Sequence, residues 1–195
     1  MNLSIFDYYL IGVNILGFIL YLVNTWLYSH TADKEIDTIL TIASIMGASL
    51  GIVLAILLFD RKAQKGNMMS RVFVASVLVI QIILVLIIKG CIRSEITVAF
   101  WEFFGNHQLL LWYLVIINVI TLVFFAVDKR RAIENKWRIR IITLLGLAFI
   151  GGSLGAIIAM YVFRHKTKID YFTVGVPLII VMQIVVVFFL MNVKV

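Results

Sequence analysis

The chain has 195 residues, of which 63 % belong to the set A, V, I, L, M, F, W, Y and C and 14 % are charged; 17 Lys and Arg against 10 Asp and Glu leave a net charge of +7. Soluble globular chains are about 25 % charged, so with a mean hydropathy of +1.10 a water-facing fold is excluded and the bilayer is the expected solvent. The one cysteine, Cys91, excludes an internal disulfide and a cysteine-built metal site.

The first apolar run, Tyr8–Tyr28, is too long for a signal-peptide core and follows no basic stretch, which predicts a retained membrane helix. Five more follow: Thr38–Phe59, Val72–Ile88, Leu109–Val127, Ile141–Phe163 and Thr173–Met191. Each holds or nearly holds the 20 or so apolar residues that cross a hydrocarbon core of roughly 30 Å. None contains Asp, Glu, Lys or Arg, and none alternates as a barrel strand would. The expected class is an all-α integral membrane protein with six transmembrane helices.

The gaps between runs are short and polar. His30–Asp37 is mostly acidic, while Asp60–Arg71 carries four Lys and Arg, Asp128–Arg140 six and Arg164–Tyr171 three. Basic residues so placed serve topology and anionic lipid rather than nucleic acid. The longest gap, 90–108, holds Phe100, Trp101, Phe103 and Phe104 and reads as an interfacial linker. It divides a first three-helix repeat, 1–89, from a second, 109–195.

Sliding the chain by 104 residues lays Met46-Gly-Ala-Ser-Leu-Gly51 on Ile150-Gly-Gly-Ser-Leu-Gly155, Tyr9 on Tyr113, Asn14 on Asn118 and Lys62 on Lys166. After a slip of two, Gln81 falls on Gln183. Each half then has an Asn in its first helix, a small-residue stripe in its second and a Gln in its third. Three crossings per half would invert the second copy relative to the first, as in many transporters. With a cytoplasmic N-terminus this arrangement puts 11 Lys and Arg inside and 6 outside. A rival arrangement makes the second and fifth segments re-entrant hairpins turning at their glycines, which collects 14 on one side and leaves 3 on the other. The four-residue spacing of Gly47 and Gly51, and of Gly151 and Gly155, lines one helix face and suits close backbone approach. That packing argument favours continuous helices in two inverted repeats, with the stripes of the second and fifth helices crossing at the axis.

Asn14, Gln81, Asn118 and Gln183 are the principal polar side chains repeated within the spans. They serve either to join helices or to line a midplane site for a polar solute or ion, where neutral amides can coordinate but cannot relay protons. Asp128-Lys129-Arg130-Arg131 after the fourth run and Arg164-His165-Lys166-Thr167-Lys168 after the fifth form net cationic clusters where phosphate head groups lie, with Asp128, Lys129, Arg164, His165 and Lys166 as the candidate head-group residues; the alternative is a topology signal with a last-turn dipole contact. Pro177, the only proline, is expected to kink the sixth helix. No catalytic motif and no in-span carboxylate occurs, so neither an enzyme, a metal nor a cofactor is expected.

Asn118, Asp128-Lys129, Trp137-Arg138-Ile139, Gly151-Gly-Ser-Leu-Gly-Ala156 and Phe163-Arg-His-Lys-Thr167 together resemble the family called domain of unknown function 1294, small bacterial membrane proteins. The resemblance runs from about Trp112 to Phe189. The family commonly continues Arg-Ile with Pro-Glu, where this chain has Arg140-Ile141. The first half resembles the family only as a divergent repeat. The resemblance implies a bacterial inner-membrane location and no particular activity. The expected role is binding or moving a small polar solute, ion or lipid head group between the repeats. The alternative is a non-transporting partner or assembly factor that holds another membrane protein or lipid; expected partners are anionic membrane lipids and a second copy or another membrane protein.

Overall fold

A computed structural model describes residues 4–30, 36–59, 68–92 and 96–193. Six helical segments among them are long and apolar enough to cross a membrane: Ile5–Leu27, Ile39–Phe59, Met68–Ile88, Gln108–Ile133, Ile141–Val162 and Asp170–Asn192. They make an all-helical, multi-pass membrane protein. The chain forms two compact units, Met1–Ile82 and Ile83–Val195.

The first unit opens with α1, Ile5–His30. Ser4 and Asp7 start it reciprocally: the Ser4 N–H and Oγ donate to Asp7 Oδ2 at 3.0 and 2.9 Å, and the Asp7 N–H donates to Ser4 Oγ at 3.3 Å. These bonds satisfy donors that the first turn leaves unpaired, with a carboxylate at the positive end of the dipole. Next come α2, Ile36–Ala43, a wide turn at Ser44–Ala48, and α3, Ser49–Phe59. At the turn Gly47 has φ +120° and ψ −2°, outside the helical region. A side chain there would be strained; glycine is not.

The partners of α3 show what this turn does. Tyr9 Oη donates to the Met46 carbonyl at 2.7 Å, and the Gly51 N–H donates to Asn14 Oδ1 at 2.8 Å, both 37 residues apart in sequence. Further on, the Phe18 and Phe59 rings meet edge to face at 6.1 Å. Residue numbers therefore rise together along α1 and α3, so the two helices run in the same direction. A straight 39–59 helix following α1 through a short connection would run the opposite way. The segment instead descends, turns at Gly47 and returns. Helix α4, Met68–Ile88, closes the unit with its first fifteen residues and ends in the second. Tyr21, Leu40, Ala48, Ile52, Ala55, Ile56 and Val74 form its buried core.

The second unit repeats the plan. It contains α5, Phe100–Asn106; α6, Gln108–Ile133; α7, Ile141–Leu147; a turn at Ala148–Gly152; α8, Ser153–Val162; α9, Asp170–Thr173; and α10, Gly175–Asn192. Gly151 has φ +131°. Tyr113 Oη donates to the Ile150 carbonyl at 2.6 Å, the Gly155 N–H donates to Asn118 Oδ1 at 2.6 Å, and His165 lies 2.9 Å from Asp128, each pair again 37 apart. The Ile139 N–H, just before α7, also reaches Asp128, at 2.9 Å. Both ends of the segment thus sit at the Asp128 end of α6. Its middle lies beside Tyr113 and Leu114, about 21 Å down the helix at 1.5 Å per residue. Helix α10 runs the other way: Phe172, before it, meets Phe125 edge to face at 5.6 Å, and Asn192, at its end, exchanges hydrogen bonds with the Thr97 backbone at 2.7 and 3.1 Å.

Two expectations are corrected here. The middle segment of each unit is a hairpin rather than a straight crossing. Each unit therefore has two uninterrupted long helices, not the three from which inverted halves are expected. The glycine stripes also have a different partner. A Cβ on Gly51 would lie 1.9 Å from the Asn14 carbonyl oxygen, and one on Gly155 would lie 2.1 Å from that of Asn118. The close approach is to the first helix of the same unit. Pro177 is the third residue of α10, in the first turn, where its missing N–H costs no hydrogen bond. It therefore begins a helix instead of bending one.

Candidate functional site

Breaking a helix inside an apolar unit leaves carbonyls without their usual donors, and in lipid these must be satisfied internally. Gln81, Asn118 and Gln183 do this, while Asn14 serves its hairpin by accepting the Gly51 N–H. Gln81 Nε2 donates to the carbonyls of Ser44 at 2.5 Å and Ile45 at 3.2 Å, and Ser49 Oγ donates to Gln81 Oε1. Gln183 Nε2 donates to Ala148 at 2.8 Å and Phe149 at 3.1 Å, and Ser153 Oγ donates to Gln183 Oε1. Asn14 Nδ2 donates to the Leu10 carbonyl at 2.8 Å. Asn118 Nδ2 donates to Leu114 at 2.7 Å and Gly151 at 2.9 Å. Each amide thus uses both its donor and its acceptor side within its own unit. Sequence reasoning missed the tyrosines and serines that complete these sets. The signal was present, since Tyr9 aligns with Tyr113 and Ser49 with Ser153.

The charged cluster lies at the mouth of the second hairpin. Asp128, in the last turns of α6, is fully buried. Its Oδ1 accepts the Ile139 N–H, while Oδ2 accepts from His165 Nε2 and from Lys166 Nζ, each at 2.9 Å. The Lys166 ammonium also stands 4.6 Å from the centroid of the Phe172 ring. Phe172 is itself fully buried against Phe125. The side chains of His165 and Lys166 are only 14 % and 10 % exposed. One carboxylate therefore joins the entering arm of the hairpin to the leaving one, and a buried charge is matched and hydrogen-bonded as burial requires.

The two basic loops that leave this cluster share one end of the unit. Lys129 is half-buried and Arg164 exposed. Arg130 and Lys136 flank Glu134 at 2.8 and 2.7 Å. These cations, Lys136 before Arg130, hold the exposed Glu134 carboxyl below its usual range. Asp128, His165 and Lys166 are thus brought together as a set, and Lys129 and Arg164 stand beside them. The first-half counterparts of the loop cations, Asp60, Arg61 and Lys62, lie outside the described residues; Asn24 holds the place of Asp128. Among the described residues no group of three His, Cys, Asp or Glu could hold a metal ion.

A family model described as a protein of unknown function, DUF1294, matches residues 118–172. That range begins at the Asn118 clamp, passes through the hairpin and ends at Phe172. An uncharacterized protein of Bacillus subtilis (strain 168), YsdA, is 41 % identical over 75 residues, which cover 38 % of this chain and 84 % of that protein. No solved structure matches.

Proposed function

The chain belongs, through its second half, to the DUF1294 family of proteins of unknown function, and from that premise we propose that it binds anionic lipid head groups at the cationic mouth of the second hairpin. The observation that carries this reading is the Asp128 cluster. By joining Ile139, His165 and Lys166, it puts the loops after α6 and after α8 at one end of one unit. Nine Lys and Arg lie in those loops. Three have acidic partners, Arg130, Lys136 and Lys166. Lys129, Arg131, Arg138, Arg140, Arg164 and Lys168 have none among the described residues. Cations concentrated at a membrane border attract anionic head groups, each contributing about 1 kcal/mol near the surface.

The first half is, in this proposal, a divergent copy of the second. The hydrogen bonds of Tyr9, Asn14, Ser49 and Gln81 match those of Tyr113, Asn118, Ser153 and Gln183. In the second unit the hairpin mouth gathers nine Lys and Arg on one side. By the positive-inside rule that side is the cytoplasmic face of the inner membrane. Transport through a midplane amide site has less support, because the amides are engaged in holding the hairpins.

The test uses the purified full chain in neutral detergent, titrated with phosphatidylglycerol or phosphatidylcholine and read by native mass spectrometry. The expected result is preferential retention of phosphatidylglycerol, weakened by salt and by joint replacement of Lys129, Arg138 and Arg140 with Gln. Equal retention of both lipids would end this reading.

A further inference from the structure

Three helix ends in the second unit close in one way. After α4, the Cys91 N–H bonds the Leu86 carbonyl at 3.0 Å, with Gly90 at φ +80°. After α6, the Lys136 N–H bonds Arg131 at 2.9 Å, with Asn135 at φ +52°. After α8, the His165 N–H bonds Met160 at 3.0 Å and the Arg164 N–H bonds Tyr161 at 3.2 Å, with Arg164 at φ +45°. This closure needs a left-handed residue, which glycine supplies freely and asparagine tolerates. The first two ends follow that rule and the third does not. Two residues on, Lys166 is left-handed as well, at φ +62°.

The two exceptions differ in what their side chains do. The strain at Lys166 is offset inside the protein, by Asp128 and the Phe172 face. Arg164 has no such offset. It is exposed, and its guanidinium makes no hydrogen bond or ion pair among the described residues. Yet its backbone is held on the C-terminal side by two anchored neighbours, His165 and Lys166. A strained residue whose side chain contributes nothing to the fold, fixed at the edge of a cationic mouth, has the properties of a ligand-reading position.

We propose that Arg164 is the residue that grips the ligand and that the ligand is a phosphate group. This rests on the head-group reading above and deepens it. A guanidinium fork matches two phosphate oxygens at once, which a single ammonium cannot do. His165 and Lys166 are engaged by Asp128, which leaves Arg164 and Lys168 as the unpaired cations of this loop. Two cations match the dianion of a phosphomonoester better than the single charge of a diester. The same chemistry occurs in a lipid with a terminal phosphate and in a soluble phosphate compound.

The test compares the full-length wild-type chain with Arg164→Gly, Arg164→Ala and Arg164→Lys in neutral detergent. The probes are phosphatidic acid, phosphatidylglycerol, phosphatidylcholine and glycerol 3-phosphate. The wild type is expected to favour phosphatidic acid over phosphatidylglycerol. Arg164→Gly and Arg164→Ala should weaken that binding about ten-fold or more, the loss of one charge-assisted fork, and Arg164→Lys should weaken it less. Thermal stability should be unchanged or raised in Arg164→Gly, which shows that the position is not structural. Binding of phosphatidic acid alone assigns the phosphate to lipid, and binding of glycerol 3-phosphate as well assigns it to a soluble compound; either supports the proposal. Wild-type affinity in Arg164→Ala, or a loss of stability in Arg164→Gly, overturns it while leaving a general anionic preference standing. A wild type that holds phosphatidylcholine as well as the anionic lipids instead overturns the head-group reading on which it rests.

Discussion

Asn118 clamps Gly155 between helices that run in the same direction. Its side-chain oxygen takes the Gly155 N–H at 2.6 Å, and its own carbonyl oxygen sits 2.1 Å from where a Cβ on residue 155 would be. The same pair recurs as Asn14 and Gly51, at 2.8 and 1.9 Å. In each unit one amide thus fixes the register of the returning arm, and one missing methyl makes the approach possible.

Gly155→Ala should therefore be among the most damaging single-methyl additions in the chain. The contact is with backbone, which cannot rotate away, so a loss of about 3 kcal/mol or more is expected. Gly146→Ala, with nothing within 4 Å of its Cβ, should be neutral or stabilising by up to about 1 kcal/mol through helix propensity. Thermal unfolding of both variants in one detergent measures the difference. Equal melting curves would refute the clamp.

Asn118→Leu removes bonds to Leu114, Gly151 and Gly155 together. Because it strands a buried N–H and carbonyls, it should cost about 1–3 kcal/mol. Hydrogen exchange should report the loss first at Gly151–Gly155, at the hairpin tip. Uniform deprotection along α6 would point to another cause.

Asp128→Asn leaves Lys166 without its carboxylate, and losing one partner of a buried pair costs about 3 kcal/mol. Joining it with Lys166→Met should restore part of that loss, because the two act through one contact. Denaturation of the four proteins of this cycle measures the coupling. Strictly additive losses would show that the pair does not hold the hairpin mouth.

Topology offers a test that needs no stability measurement. In a Cys91→Ser background, cysteines at Asn135 and Thr167 should react with an impermeant thiol reagent from one side of the membrane, and one at Gly105 from the other. Labelling of Asn135 and Thr167 from opposite sides would restore a straight α7–α8 crossing.

Much of this was legible in the residues. The apolar runs mark the long helices, because a segment without charge in lipid has few alternatives to α-helix. The 104-residue match of Asn14 with Asn118 and of Gly51 with Gly155 marks the repeated clamps. The hairpins were harder to see. A glycine every four residues serves a straight close-packed helix as well as a returning arm, and the φ of Gly47 or Gly151 is not written in its neighbours. The nine basic residues of the loops after α6 and α8 can be read from the sequence, but not that the second hairpin gathers them at one end. Asp128, His165 and Lys166 could be grouped from their loops. That one carboxylate binds both arms could not, because it depends on α8 returning beside α6.

The hairpin mouth also bears on how the protein is made. Both arms of the second hairpin emerge at the Asp128 end, so the loops they connect stay on the side where they began. During biosynthesis only an apolar tip must enter the lipid, and none of the nine basic residues around the mouth has to be dragged through hydrocarbon on the hairpin's account.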